Sequence, residues 1–285
     1  MSSDSSNTNP IVTASAMKRS LLATFAIASL TTSLSANAST LISSTEYLDY
    51  ELPKSVQEQC YEKNNCPEIE IKYIKTNQDW LNTIVNKRIN NIVINSQPSE
   101  SPIDRGTDKK RAKVAIDSFA KSQFIDMPEH VSWSYSLMVT PEYLGHVRLG
   151  QKEDFELFEI SSYVFTGGAH GMPFSEYLIF DPSSKQQITL SDMLQDGKKP
   201  LFSALAYESY NAWVVSMDED VKSYEQNWPF FLNDNVTLTD EGIRIRYPHY
   251  AIGPYAYGMP ALSISYDKLG DILQPHFLPS SPNKS

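Results

Sequence analysis

Three groups of side chains in this chain have the types and spacing for chemistry. The first is Cys60 and Cys66, in Cys60-Tyr-Glu-Lys-Asn-Asn-Cys66; the chain has no other cysteine. Two thiols this close read as a disulfide in an oxidising compartment. Closing so short a loop contributes about 2 kcal/mol on the chain-entropy estimate, so the bridge pins a turn more than it holds a fold. The second group is Thr166-Gly167-Gly168-Ala169-His170-Gly171. Paired glycines let a chain leave a strand at positive φ, which puts Ala169 and His170 on an exposed turn. That turn is either a recognition loop, presenting peptide N–H groups and an imidazole, or a tight turn whose His170 bonds its own scaffold. The third is Tyr247, Tyr250, Tyr255 and Tyr257, set among Pro248, Pro254 and Pro260. Tyrosine couples a large apolar face to one hydroxyl and suits interfaces. Proline stiffens such a loop and lowers the entropy lost on binding. The alternative is a packed sheet edge with some rings in the core.

Catalytic patterns are weaker. Ser118-Phe-Ala-Lys121 fits S-x-x-K, but its companion Ser-Asp-Asn and Lys-Thr-Gly motifs are missing. Phe119 and Ala120 also place it inside an amphipathic helix. Glu176, Asp181 and Asp192 could form a glycosidase-like carboxylate pair only if the fold made them converge. His130, His146, His170, His249 and His276 are scattered, with no pair at helical ligand spacing. No G-x-S-x-G, H-E-x-x-H or phosphate-binding loop occurs. The expectation is a protein with no catalytic residue, no metal and no cofactor.

The elements that must position these groups follow from periodicity. Ile69–Ile74 alternates as a strand, and Thr76-Asn-Gln-Asp79 resembles a capping box. Leu81, Ile84, Val85, Ile89, Ile92 and Val93 then mark one face of a helix. A second helix is expected over 107–124, with Ala112, Ala115, Ile116, Phe119 and Ala120 inward and Lys109, Lys110, Arg111 and Lys113 cationic at its start. From Val131 the period becomes two: strands are expected at 131–137, 143–149, 155–165, 174–180 and 187–190. A short helical segment is expected at 191–194 and a third helix at 201–215. A hairpin over 236–247 turns on Asp240-Glu241-Gly242, with the glycine in the left-handed region. A last strand over 261–266 and a short helix over 269–273 complete an α+β pattern of helices on mainly antiparallel sheets, in two closely associated lobes.

The N-terminus reads as an export signal. Lys18 and Arg19 precede the apolar run Leu21–Leu30, and Ala36-Asn37-Ala38 offers small residues to a signal peptidase, with cleavage after Ala38. Met17 is the natural start, and residues 1–16 form an upstream extension. The apolar run falls short of the roughly 20 residues that span a bilayer, so no membrane anchor is expected after cleavage. The destination is the periplasm or the exterior. Cleavage removes Asp4, Lys18 and Arg19, leaving residues 39–285 one unit more acidic than the full chain's −10. Such a surface repels nucleic acid; it either suits a cationic partner or serves solubility alone, since net charge names no partner.

Two segments carry more than periodicity. One is Tyr163-Val-Phe-Thr166-Gly167-Gly168-Ala169-His170-Gly171, followed by Phe180-Asp181 and Ile188-Thr-Leu190-Ser-Asp192-Met-Leu194. The other runs from Leu238-Thr-Asp240-Glu-Gly242 through Tyr247-Pro-His-Tyr250 and Pro254-Tyr255-Ala256-Tyr257-Gly258 to Tyr266-Asp-Lys-Leu269. In this order they resemble the extracellular region of the RsiV family of anti-sigma factors. The same pair of modules stands beside peptidoglycan deacetylase domains and in secreted mycobacterial antigens. The resemblance spans most of 69–273. It implies an N-terminal module over 39–175, a C-terminal module over 176–278 and a loose tail over 279–285. Members of the RsiV type join a sigma-binding segment and a membrane helix to a lysozyme-sensing exterior; this sequence has a cleavable signal in their place. The resemblance therefore implies binding to a lysozyme-type muramidase or to peptidoglycan, without catalysis. The contact residues expected are Thr166, Gly167, Gly168, Ala169, His170, Tyr250, Tyr255 and Tyr257. Two other readings stand beside it: an enzyme acting on wall glycan, and a structural component of an envelope complex.

Overall fold

The computed structural model describes residues 40–96, 106–126, 133–150 and 153–280; the segment expected to be an export signal, His130 and residues 281–285 lie outside them. The chain opens with β1 (Ser43–Tyr47), α1 (Lys54–Lys63) and β2 (Glu68–Thr76). Cys60 in α1 is bridged to Cys66 just beyond it, with the Cα atoms 4.6 Å apart. Next come α2 (Asp79–Ile94), α3 (Lys109–Asp126), β3 (Ser136–Leu149), β4 (Glu153–Phe165), β5 (Met172–Asp181) and β6 (Gln186–Ile188). The remainder supplies α4 (Leu190–Met193), α5 (Lys199–Val215), α6 (Val221–Glu225), β7 (Val236–Leu238), β8 (Gly242–Arg246) and β9 (Ala261–Ser265).

Strands β1 to β6 form one sheet in sequence order, antiparallel except for the parallel pair β2–β3; β7, β8 and β9 form a second, antiparallel sheet. The α+β expectation holds. The large sheet is covered on both faces. Leu137, Val139, Phe158, Ile160, Leu178 and Phe180 pack with Val85 and Ile89 of α2 and Ile116 and Phe119 of α3. Val147, Leu149, Phe155, Leu157 and Ile179 face the other way, into a core with Phe202, Ala206 and Tyr210 of α5 and with the small sheet. A register shift between Tyr143 and Gly145 makes this possible in β3. One extra residue turns the odd-numbered side chains from one face to the other.

Sequence periodicity placed most elements, with physical exceptions. Thr76 is the last residue of β2, not a helix cap; Gln78 stands at the α2 cap position. The Thr76 hydroxyl accepts from the Gln78 N–H at 3.0 Å instead. Strand pairing in β3 begins only at Ser136, so Trp133 and Tyr135 precede it. Gly242 does not take positive φ. It is glycine because a Cβ there would stand 2.0 Å from the Ile264 carbonyl oxygen. In place of a helix over 269–273, a 3-10 turn spans Tyr266–Lys268. Leu194 and Leu273 then meet in an isolated bridge. The boundary expected between 175 and 176 falls inside β5, which is paired to β4 throughout Met172–Phe180. At the tail, Pro279 bridges Gly150.

Periodicity also missed a polar row. Asn82, Asn86 and Asn90 recur every fourth residue on α2, hence on one helix face. Asn82 and Asn86 each accept from and donate to the backbone of β2, at Thr76 and Ile74, at 2.7 to 3.0 Å. Asn90 accepts from the Tyr73 hydroxyl at 2.5 Å. These amides fix α2 to the strand by satisfying its backbone.

Candidate binding surface

The β4–β5 hairpin holds the first predicted motif. Val164 pairs with Met172, and 166–171, between the end of β4 and the start of β5, is the loop. Gly167 and Gly168 take φ of +98° and +93°, values that side chains resist. Gly167 is doubly constrained: a Cβ would lie 2.7 Å from the Trp133 indole nitrogen. Thr166, Ala169 and His170 are exposed on this loop.

The second motif follows β8. Tyr247 is fully buried and its hydroxyl donates to the Phe231 carbonyl at 2.8 Å; burial pushes its pKa up to about 12. Ile252 is also buried, and its carbonyl accepts from the Tyr224 hydroxyl at 3.1 Å. These two anchors hold the loop from beneath. Between them Tyr250 stands at φ +61° and is 45% exposed. A bulky residue in the left-handed region is a strained arrangement that the surrounding packing must enforce.

The two motifs meet. The His170 ring stacks on Tyr255 with centroids 3.7 Å apart and planes 15° from parallel. His249 stacks on Tyr255 at 4.5 Å and 27°. The Tyr255 hydroxyl donates to the Gly171 carbonyl at 3.0 Å, and the Tyr250 hydroxyl lies 3.2 Å from His170 Nε2. His170 Nδ1 is 3.3 Å from the Gly171 carbonyl. The His170 ring nitrogens thus face a carbonyl at Nδ1 and a hydroxyl at Nε2. Burial, then the neighbouring His170, holds His249 below the ordinary histidine pKa. Its Nδ1 is buried without a hydrogen-bond partner, which adds a reason to stay neutral.

Of the predicted contact residues, Gly167, Gly168, His170, Tyr250 and Tyr255 form one continuous surface. Thr166 and Ala169 flank it. Tyr257 turns the other way, edge-on to Trp213 at 6.0 Å. Sequence reasoning missed His249 and Trp133; His249 was legible only as the neighbour of Tyr250. Exposed apolar area continues from the hairpin through Met172 and Phe174.

The carboxylates behave differently. Glu176 accepts from Arg88 Nε at 2.5 Å. Asp181 accepts from the Ser183 N–H and from the Ser183 and Ser184 hydroxyls, each at 2.7 Å. These bonds carry its pKa below the ordinary value although burial opposes them. Asp192 accepts from the Thr189 N–H and hydroxyl at 2.8 and 2.6 Å. Glu176 and Asp181 also point to opposite faces of β5, being an odd number of residues apart. Ser118 lies on α3 with its hydroxyl donating to Val114. Among the described residues no three His, Cys, Asp or Glu side chains are placed to hold a metal ion, and no helix is long and apolar enough to cross a membrane.

A cleft of 520 Å³ opens beside the surface, between β5–β6 and residues 233–236, with Pro248 on its rim. Asn235 closes its back wall: its side chain accepts from the Tyr177 N–H and donates to the Ser175 carbonyl, both at 2.8 Å. Behind it Arg246 donates to the Tyr177 hydroxyl and sits 3.7 Å from Glu159.

Comparison with known proteins gives one family match and two similar solved structures. Residues 179–267 match the DUF3298 family, described as a protein of unknown function. The chain is similar to the crystal structure of a DUF3298 family protein from Pseudomonas aeruginosa PAO1, with 25% identity and a TM-score of 0.55 over 85% of this chain and 96% of that one. It shares its fold with a DUF3298 family member from Bacteroides fragilis NCTC 9343, at 15% identity and a TM-score of 0.57 over 83% and 94%. No match is found among curated proteins. The RsiV resemblance is consistent with a DUF3298 domain.

Proposed function

We propose that this is an exported binding protein without turnover of its own. Its His170–Tyr255–Tyr250 surface recognises a lysozyme-type muramidase or a peptidoglycan-related ligand and protects the cell wall. The observation that carries the reading is the stacking of the glycine-turn imidazole on the aromatic loop at 3.7 Å. Residues from two distant segments are held rigidly, with Tyr250 strained and exposed at the rim. Rigid aromatic groups lose little entropy on binding and make strong anchors. The acidic balance of the chain would speed encounter with a basic muramidase. Catalysis by Glu176, Asp181 or Asp192 finds no support, since each carboxylate is bonded within the fold to its own partner.

The test is binding of purified residues 39–285 to a c-type lysozyme at low and high salt, with soluble peptidoglycan fragments in parallel. The reading expects lysozyme binding that weakens as salt screens the charges, and muramidase activity that falls in molar excess of the protein. Failure to bind either ligand would remove it.

A further inference from the structure

We propose that the cleft between β5–β6 and residues 233–236 is a subsite for a neutral, polyhydroxylated glycan segment. This deepens the peptidoglycan arm of the reading above and adds a second contact site to it. The volume, 520 Å³, lies within the roughly 300–1,000 Å³ of small-ligand sites. Among the described residues no Lys, Arg or His side chain lines the cleft. A phosphate or carboxylate entering it would lose water and gain no countercharge. Two carboxylates do line it, Glu176 and Asp234, but each has a cation beside it. Arg88 reaches Glu176 at 2.5 Å, and Lys199 Nζ lies 3.4 Å from Asp234. They offer acceptor oxygens with their charge offset, which suits hydroxyl donors better than a cationic ligand.

The donors come from Asn233 and Asn235. Each uses one amide N–H within the fold, to the Arg246 and Ser175 carbonyls, and a carboxamide has two. Because Asn235 is bonded twice to β5, this wall is fixed before any ligand arrives. Phe174, lining the cleft and 37% exposed, supplies a flat apolar face for the C–H side of a sugar ring. Pro248 on the rim is followed directly by His249 and Tyr250. A glycan leaving the cleft there would run onto the aromatic surface.

The experiment is isothermal titration of the protein with tri-N-acetylchitotriose, with trigalacturonate as an anionic trisaccharide control. Chitotriose should bind and trigalacturonate should not. Phe174→Ala should weaken chitotriose about tenfold. Ser191→Trp, which fills the cleft from an exposed position, should abolish binding at unchanged melting temperature. Absence of chitotriose binding up to about 10 mM, equal affinity for trigalacturonate, or undiminished binding in both variants would overturn the proposal. Lysozyme binding measured on the same preparations separates the two readings. If lysozyme binds and chitotriose does not, only this subsite falls. If chitotriose binds through Phe174 and lysozyme does not, only the muramidase arm falls.

Discussion

Residues 174–192 carry Glu176, Asp181 and Asp192, and residues 247–258 carry four tyrosines and His249. Both segments hold side chains fit for chemistry. In the first, an arginine, a serine turn and a helix cap take up the three carboxylates. In the second, two buried anchors, Tyr247 and Ile252, hold the chain from beneath while Tyr250 stays open to solvent. Residue type alone does not make a site. What separates the segments is exposure of the side chain itself, since Tyr250 keeps 45% of its surface open although its hydroxyl meets His170.

The largest effect should come from the scaffold that fixes the aromatic loop. Gly242→Ala drives a methyl group against the Ile264 carbonyl, so β8 and β9 must separate. It should cost about 3 kcal/mol or more in chemical denaturation, and a loss under 1 kcal/mol would show that the small sheet yields easily. Arg88→Ala tests whether Glu176 is structural. The pair is partly exposed, with side chains 38% and 22% accessible, so about 1 kcal/mol is expected. A new hydrolytic activity towards peptidoglycan on freeing Glu176 would contradict the structural assignment.

A smaller effect concerns pH. His249 has its pKa lowered in the folded protein. The unfolded chain therefore binds the proton more tightly, and stability must rise with pH through the window just below 6.5. This contribution is complete above the unfolded value and is lost as pH falls through the folded one. Melting temperature should drop between neutral and mildly acidic pH, and His249→Gln should reduce that slope. An unchanged slope would remove His249 as its source. The smallest effect belongs to the S-x-x-K match. Ser118→Ala and Lys121→Ala lie on the exposed side of α3 and should each change stability by less than about 0.5 kcal/mol.

Much of the fold was legible because period is a local property. The apolar faces of α2, α3 and α5 and the alternation of β2, β4 and β9 repeat within a few residues, and the structure keeps them. Gly167 and Gly168 were legible for the same reason, since a glycine pair after a strand has few other uses. What stayed hidden depends on distant chain. Gly242 is glycine because of Ile264, not because of its own turn. The asparagine row of α2 looks like a solvated face until β2 lies beneath it. Neither local pattern revealed that Tyr255 would stack between His170 and His249. A contact across 85 residues leaves no periodic trace.

The central claim is that the stacked His170–Tyr255 pair is the contact surface. The most direct measurement is the affinity of Tyr255→Ala for c-type lysozyme and for soluble peptidoglycan fragments, compared with the parent protein at equal fold content. The account predicts that the parent binds at least one of them. It further predicts that the variant loses about 2 kcal/mol or more of that affinity, because removing the central ring frees both imidazoles and the Gly171 carbonyl. Undiminished binding by the variant would place the contact elsewhere on the molecule and contradict the account.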